Sequence, residues 1–189
     1  TRHYLNGIYL HLTEAHGRSF FTAVATDSHR LSSSSLEINE TNDFKSVILP
    51  RKAVYQLCNL LAETSDKLSM SISENKIKFT LGNIKLISKV IDGKFPDYKK
   101  VVPTNNDKTL LVSTKEFINS IERVTTVSLD RKEGVKLLVN KDNLQLSVNS
   151  ANSGDGNEKI QANFSSENLN ISFNSKYLIC LLYTSPSPR

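Results

Sequence analysis

The sequence is poor in the residues on which several special architectures depend. It has two cysteines in 189 residues, Cys58 and Cys180, far apart and in no CxxC or Cys–His spacing. That excludes a disulfide scaffold and a structural zinc site and suits a reducing, cytoplasmic setting. The longest uninterrupted apolar run, Tyr177 to Tyr183, has seven residues where a membrane-spanning helix needs about 20. No charged-then-apolar leader opens the chain, so neither a membrane-spanning nor a freshly secreted protein is expected. The seven glycines are scattered and form no phosphate-cradling loop, which argues against nucleotide hydrolysis. The four histidines, His3, His11, His16 and His29, have no ligand-like spacing, so neither a metal nor another cofactor is expected. Hydrophobic residues make up 38% of the chain, enough for one ordinary domain or two small ones with little apolar surplus.

What is present is a mild basic excess and a repeat. The net charge of +5 and pI near 9.1 permit contact with phosphate backbones without demanding it. Three segments read alike: Val47 to Leu57, Leu110 to Ile118 and Ile171 to Ile179. Each is a short β-prone run, a helix-starting residue, a lysine and then apolar residues two and three places on. Their lysines, Lys52, Lys115 and Lys176, stand 63 and 61 positions apart, the length of one small supersecondary unit. Pro50 suits a first helical turn, Ser113 with Glu116 forms a capping box, and Asn174 can cap the third helix. Ala53, Leu57, Leu60 and Leu61 make an apolar stripe on the first helix, as do Phe117, Ile118, Ile121 and Val124 on the second.

Period-two sequence follows each helix. Leu68 to Ile72, Lys76 to Leu81 and Ile84 to Val90 predict a meander. Val135 to Val139, Asn143 to Val148 and Lys159 to Phe164 predict another, with a polar loop at Asn149 to Asn157. The unit is therefore strand, helix, three strands, an α+β pattern. Gly7 to Leu12, Phe20 to Ala25 and Arg30 to Leu36 predict three strands of a unit whose opening strand and helix lie outside the chain. At the other end Pro186 and Pro188 stop the third helix, and residues 180–189 read as a non-native tail.

Two segments carry candidate chemistry. Thr26-Asp27-Ser28-His29-Arg30 contains nucleophile and base residue types, but adjacent turn positions point different ways and no oxyanion motif accompanies them. A hydrolase at Asp27, Ser28 and His29 is thus an unfavoured alternative to a structural turn. Asp92 to Tyr98 reads as a turn with two exposed aromatics, either closing a domain or offering an apolar docking spot. The polar helix faces, Arg51-Lys52-Gln56 and Lys115-Asn119-Arg123, are either solvated or set against DNA phosphates.

Taken together, Arg2 with Leu5-Asn6-Gly7, Ala25 to Leu31, Pro50-Arg51-Lys52, Asp92 to Tyr98 and Val101 to Pro103 resemble the bacterial DNA polymerase III sliding clamp family, the beta subunit of the replicative holoenzyme. The resemblance implies an α+β DNA-clamp fold of repeated half-modules, antiparallel sheets outside and helices on the inner face. It implies that residues 1–103 are the middle clamp domain lacking its first strand and helix, and residues 108–179 the first half of the C-terminal domain. The implied function is a non-catalytic processivity factor, a homodimeric ring that encircles double-stranded DNA and tethers the replicative polymerase and clamp loader. With a domain missing, ring closure by this chain alone is not expected. A non-encircling interaction module of the same fold is the alternative. His3, Tyr4, Arg51, Lys52, Lys115 and Arg123 would face DNA. Leu5, Thr26, Ser28, His29, Arg30, Leu31, Pro96, Lys100 and Val101 match the family's partner-peptide groove, and Thr126 and Val127 its dimer contact. Ser28 stands where the family usually has glycine, disfavouring a positive φ, and Lys100 replaces an arginine, losing a planar fork.

Overall fold

A computed structural model describes residues 2–39, 44–128, 134–150 and 153–184. The chain divides into two compact units, Thr1–Val101 and Val102–Arg189.

In the first unit a 3-10 turn, His3–Leu5, leads into β1 (Gly7–Ala15), β2 (Arg18–Thr26), β3 (Leu31–Ile38) and β4 (Val47–Pro50). These form an antiparallel sheet in the order β3-β2-β1-β4, with Thr26 paired to Leu31 and Gly7 to Pro50. Gly7 is required where β1 meets β4, since a Cβ there would strike the Leu49 carbonyl oxygen. Helix α1 (Arg51–Ala62) follows, then the meander β5 (Leu68–Ser73), β6 (Lys76–Leu81) and β7 (Ile84–Lys89). Pro50 sits one place earlier than expected: its ψ of 144° makes it the N-cap and last residue of β4 rather than part of the first turn. The main core gathers Leu10, Val47, Leu49, Ala53, Ile77 and Phe79 from both sheets and the helix. Alternation in β6, with Ile77, Phe79 and Leu81 buried and Lys76 and Lys78 exposed, is the period-two pattern of a half-buried strand.

The second unit begins with β8 (Leu110–Leu111), α2 (Thr114–Val124) and a 3-10 turn, Thr125–Val127. Then come β9 (Gly134–Val139), β10 (Asn143–Ser150), β11 (Gly154–Gln161), β12 (Asn163–Phe164), β13 (Leu169–Asn174) and α3 (Ser175–Thr184). The sheet order is β11-β10-β9-β13, all neighbours antiparallel, with β12 paired to β8. Ser113 caps α2 by accepting from the Glu116 amide at 3.4 Å, and Asn174 Oδ1 accepts from the Lys176 amide at 3.0 Å. Phe117, Ile121 and Val124 of α2 are buried among Val135, Leu137, Val139, Leu144, Leu146 and Val148.

The predicted polar loop at Asn149 to Asn157 is instead a hairpin. β10 runs to Ser150 and β11 starts at Gly154, with Val148 paired to Gly156 and Ser150 to Gly154. Ladder hydrogen bonds come from the backbone, so a strand with one exposed face forms without the apolar alternation by which strands are read. Ala151 and Asn152 lie outside the described residues. Helix α3 continues to Thr184, through the first residues of the expected non-native tail, and residues 185–189 lie outside the description. Among the described residues no helix is long and apolar enough to cross a membrane.

Candidate functional site

One end of the first unit gathers four stretches that are distant in sequence. Val24, Ile48 and Phe95 are buried there, with Tyr4, Leu5, Tyr9, Leu31, Ile91 and Tyr98 packed against them. Leu5 and Leu31 thus share one apolar cluster. The four-residue connection from β2 to β3 closes beside it. Thr26 Oγ1 donates to the Arg30 carbonyl at 2.7 Å and accepts from the Ser28 amide at 3.2 Å. Asp27 Oδ1 accepts from the amides of His29 and Arg30, each at 3.0 Å, and Oδ2 from Arg30 Nε at 3.0 Å. Desolvation pushes the Asp27 carboxyl up, but those two amides and the Arg30 guanidinium outweigh it and hold it below the usual carboxylate range. Ser28 adopts φ 75°, the left-handed region in which a Cβ is costly. Its Oγ accepts from Arg2 Nη1 at 2.9 Å, tying the start of the chain to the turn.

This geometry is that of a stapled turn. Catalysis by the Asp27, Ser28 and His29 set would require the carboxylate to orient an imidazole and the hydroxyl to face a base. Instead the carboxylate serves amides and Arg30, and the hydroxyl serves Arg2. Among the described residues no group of three or more His, Cys, Asp or Glu gathers to hold a metal.

The second wall comes from residues 91–101. The Ile91 amide donates to the Ile48 carbonyl at 2.8 Å, anchoring the segment to β4. The expectation of two exposed aromatics is overturned. Phe95 is buried and stacks on Tyr9 at 4.8 Å, and Tyr98 is half-buried with its hydroxyl 3.0 Å from His11 Nε2. Burying one aromatic is worth about 1.5–3 kcal/mol, more than the isolated turn offers otherwise, so the rings turn inward. Pro96, Lys100 and Val101 remain exposed on the segment those rings secure. Lys100 Nζ lies 3.2 Å from Asp97, an exposed pair. Of the other residues expected in a groove, Leu5, Thr26, Arg30 and Leu31 are half-buried and Ser28 and His29 exposed.

Sequence reasoning missed Tyr9 and His11. Both lie on the β1 face opposite Ile8 and Leu10, and their alternation was legible, but their partners stand almost ninety residues away.

The residues expected against DNA occupy two places. His3, Arg51, Lys52 and Tyr55 line an open depression of about 580 Å³ at the start of α1. His3 Nε2 donates to the Asp92 carbonyl at 3.1 Å and Tyr4 packs in the apolar cluster. Arg51 lies over the Tyr55 ring at 5.5 Å. Two cations at a helix N-terminus add to its positive end and suit a phosphate. In the second unit Lys115 is exposed in the first turn of α2. Arg123 is held by Glu158, with Nε at 3.0 and 3.2 Å from the two carboxylate oxygens and Nη2 at 3.2 Å from Ser120 Oγ. The hydrogen bonding to Glu158 raises the Arg123 pKa and lowers that of Glu158, so the charge of Arg123 is largely balanced within the fold. Thr126 is exposed, donating to the Arg123 carbonyl at 2.7 Å, while Val127 packs against the core.

Comparison with known proteins follows the same division. Residues 1–97 match the central domain of the DNA polymerase III beta subunit, and residues 99–184 match its C-terminal domain. The chain belongs to this family. It is 35% identical over 180 residues to the beta sliding clamp of Caulobacter vibrioides and 34% identical over 181 residues to that of Escherichia coli K12. Those matches cover 95% and 96% of the chain but 48% of each relative, so the chain spans about half the length of the clamps it matches. Among solved structures, the clamp from Bartonella birtlesii bound to griselimycin superposes with a TM-score of 0.91 at 41% identity, covering 96% of the chain and 50% of that protein. Caulobacter crescentus pol III beta gives 0.92 at 33% identity, covering 100% and 51%. The α+β sliding-clamp fold with antiparallel sheets is therefore established for the chain.

Proposed function

We propose that this chain is the middle and part of the C-terminal section of a DNA polymerase processivity factor, a non-catalytic clamp that encircles duplex DNA and tethers the replicative polymerase and clamp loader. The observation that carries the reading is the convergence of Leu5, the Thr26 to Leu31 turn and the Phe95 to Val101 segment around one apolar cluster in a chain that belongs to the family. On this reading residues 1–103 supply the middle domain and residues 108–179 the first half of the last one, and the family match through residue 184 carries α3 into that same domain. The exposed edges beside the cluster, Ser28, His29, Pro96, Lys100 and Val101, receive a partner's peptide, with Leu5 and Leu31 as its floor. The depression under His3, Arg51 and Lys52 holds phosphates without reading bases, as sliding requires. Thr126 and Val127 belong to the contact that closes a homodimeric ring in the cytoplasm, on the nucleoid.

A chimera in which this chain replaces the matching residues of the Caulobacter clamp tests the reading. Loaded by its clamp loader onto nicked circular DNA, the chimera stays through a high-salt wash and is released when the circle is linearised. Equal retention on linear and circular DNA would overturn encirclement and favour a non-encircling module. In the same chimera, Arg51→Glu with Lys52→Glu lowers the slope of log affinity against log salt by about 0.9 for each phosphate that the protein no longer neutralises. Griselimycin, bound by the Bartonella clamp, binds the groove of this chain, and Leu31→Ala weakens it at least about tenfold; unchanged affinity would remove the groove from the proposal.

A further inference from the structure

His11 has no part in any of the roles above, yet it is 8% exposed at the centre of the groove's supporting layer. Alternation on β1 places Tyr9 and His11 on one face and Ile8 and Leu10 on the other, toward the main core. The first face would be open to water if residues 91–101 did not fold over it. They bring Phe95 onto Tyr9 at 4.8 Å and Tyr98 edge-on to His11 at 5.6 Å, while Tyr9 and His11 stack at 4.4 Å. A polar contact within this aromatic layer joins His11 Nε2 to the Tyr98 hydroxyl at 3.0 Å. Tyr98 opens the 3-10 turn Tyr98–Lys100, closed by the Lys100 amide on the Asp97 carbonyl at 3.3 Å and the Val101 amide on the Tyr98 carbonyl at 3.1 Å. Lys100 and Val101 therefore stand where Tyr98 puts them.

We propose that His11 is a positioning residue for the groove: in its neutral form it holds Tyr98 and with it Lys100 and Val101, and protonation of the ring releases that wall. The inference rests on the groove reading given above. The hydrogen bond alone does not make the device, because an imidazolium Nε2–H can still donate to the Tyr98 oxygen. The second nitrogen does. Nδ1 is buried with no hydrogen-bond partner in the closed wall, so a second proton on the ring is held out of water with only the Tyr9 and Thr22 backbone groups to favour it, and these do less than burial. The groups facing the ring do little to help. Residues 97–99 contribute the Lys99 cation, which repels a second charge, and the Tyr98 phenol. β1 contributes Tyr9 and β2 Thr22, whose backbone groups favour the charged form but less than burial opposes it. Burial first, then Lys99, holds the His11 pKa below its ordinary value of 6.5. The charged ring is thus accommodated by turning out toward water, which means parting from Tyr98.

The sign follows from linkage. A histidine whose folded pKa is depressed takes up its proton more readily in the released or unfolded state, so the closed wall is stable above pH 6.5 and is lost as pH falls below it. The experiment is an NMR titration of the full chain from about pH 7.5 to about pH 4.5, a range that spans the ordinary histidine pKa, following the His11 ring protons and the Tyr98 and Val101 amides. We expect the three to move together with one midpoint below 6.5. His11→Gln, which keeps a polar group for the Tyr98 hydroxyl but cannot titrate, abolishes the amide movement. Tyr98→Phe, which keeps the ring and breaks the bond, uncouples His11 from Val101. Movement of the Val101 amide that persists unchanged in His11→Gln would assign it to a group other than His11 and overturn the proposal, as would a His11 midpoint at or above 6.5. Griselimycin affinity over the same pH range reads the groove separately. It falls toward acid more steeply in the parent than in His11→Gln. If the compound fails to bind at any pH the groove reading fails, while the coupled titration still decides whether His11 holds the wall.

Discussion

Helices α1 and α2 hold the same place in the repeat, after a short strand and before a meander, yet they bury very different surfaces. Helix α2 hides Phe117, Ser120, Ile121 and Val124, whereas α1 hides Ala53 alone and leaves Leu61 exposed. The difference lies in the neighbours. Against α2 come Leu178, Ile179 and Leu182 of α3, and Tyr183 donates to Glu122 at 3.1 Å. β11 also passes so close that a Cβ on Gly156 would lie 2.5 Å from the Val124 carbonyl oxygen. Helix α1 packs on β1 and β4. An amphipathic stripe states which side of a helix faces inward, while the depth of burial depends on what else arrives there. Among the described residues the second unit has one core cluster, and the first divides its core between the sheets and the smaller cluster around Phe95.

That contrast can be broken at its two centres. Phe95→Ala removes the largest buried side chain of the small cluster and costs about 3–5 kcal/mol, and Ile121→Ala in the second unit costs about 2–5 kcal/mol. Hydrogen exchange read unit by unit distinguishes them, because each loss falls on its own unit. Leu57→Ala, on the apolar stripe of α1, costs about 1 kcal/mol, since a half-exposed leucine has less area to lose. A cost for Leu57→Ala equal to that for Ile121→Ala would mean that α1 is covered in solution.

These differences mark what was legible in the sequence. The caps at Ser113 and Asn174 were readable because the acceptor and its amide lie within three residues. The Thr26 to Arg30 turn was readable for the same reason, as were strands with one apolar face, such as β6. The first half of β11 was not, because its residues Asp155, Asn157 and Glu158 carry no apolar alternation and the ladder to β10 needs none. The inward turn of Phe95 and Tyr98 was hidden because it depends on Tyr9 and His11, which no local pattern connects to them. The residues proposed for the groove were named through resemblance to a family, and the packing of Phe95 and Tyr98 on Tyr9 and His11 beneath them came from the structure.

A pH experiment sharpens the comparison further, since the turn between β2 and β3 holds a carboxylate bound by its own backbone. Asp27→Asn keeps an oxygen for the His29 and Arg30 amides and loses the pairing with Arg30. The Asp27 side chain is 44% exposed, so screening limits the expected cost at neutral pH to roughly 0.5–1 kcal/mol. Its folded pKa is depressed below 3.8. The contribution is therefore complete above that value and disappears as pH falls through the folded pKa. Denaturation of parent and variant should differ at neutral pH and converge once the pH is well below 3.8. A constant difference would place the effect in the uncharged contacts.

The smallest effect concerns Ser28, which has a positive φ in the turn between β2 and β3. Two terms oppose each other. The left-handed conformation costs a residue with a Cβ about 1–2 kcal/mol, and the Oγ recovers part of that by accepting from Arg2 at 2.9 Å, an exposed bond worth about 0.5–1.5 kcal/mol. Ser28→Gly relieves the first and forfeits the second, so its net change stays within about 1 kcal/mol of zero. Ser28→Ala keeps the strain and forfeits the bond, and is destabilising. The difference between the two variants isolates the backbone term at about 1 kcal/mol, and Arg2→Ala as background isolates the bond. In that background Ser28→Gly becomes plainly stabilising. If Ser28→Gly and Ser28→Ala are equal in thermal denaturation, the turn relaxes out of the left-handed region in solution, and the anchor from Arg2 determines its shape.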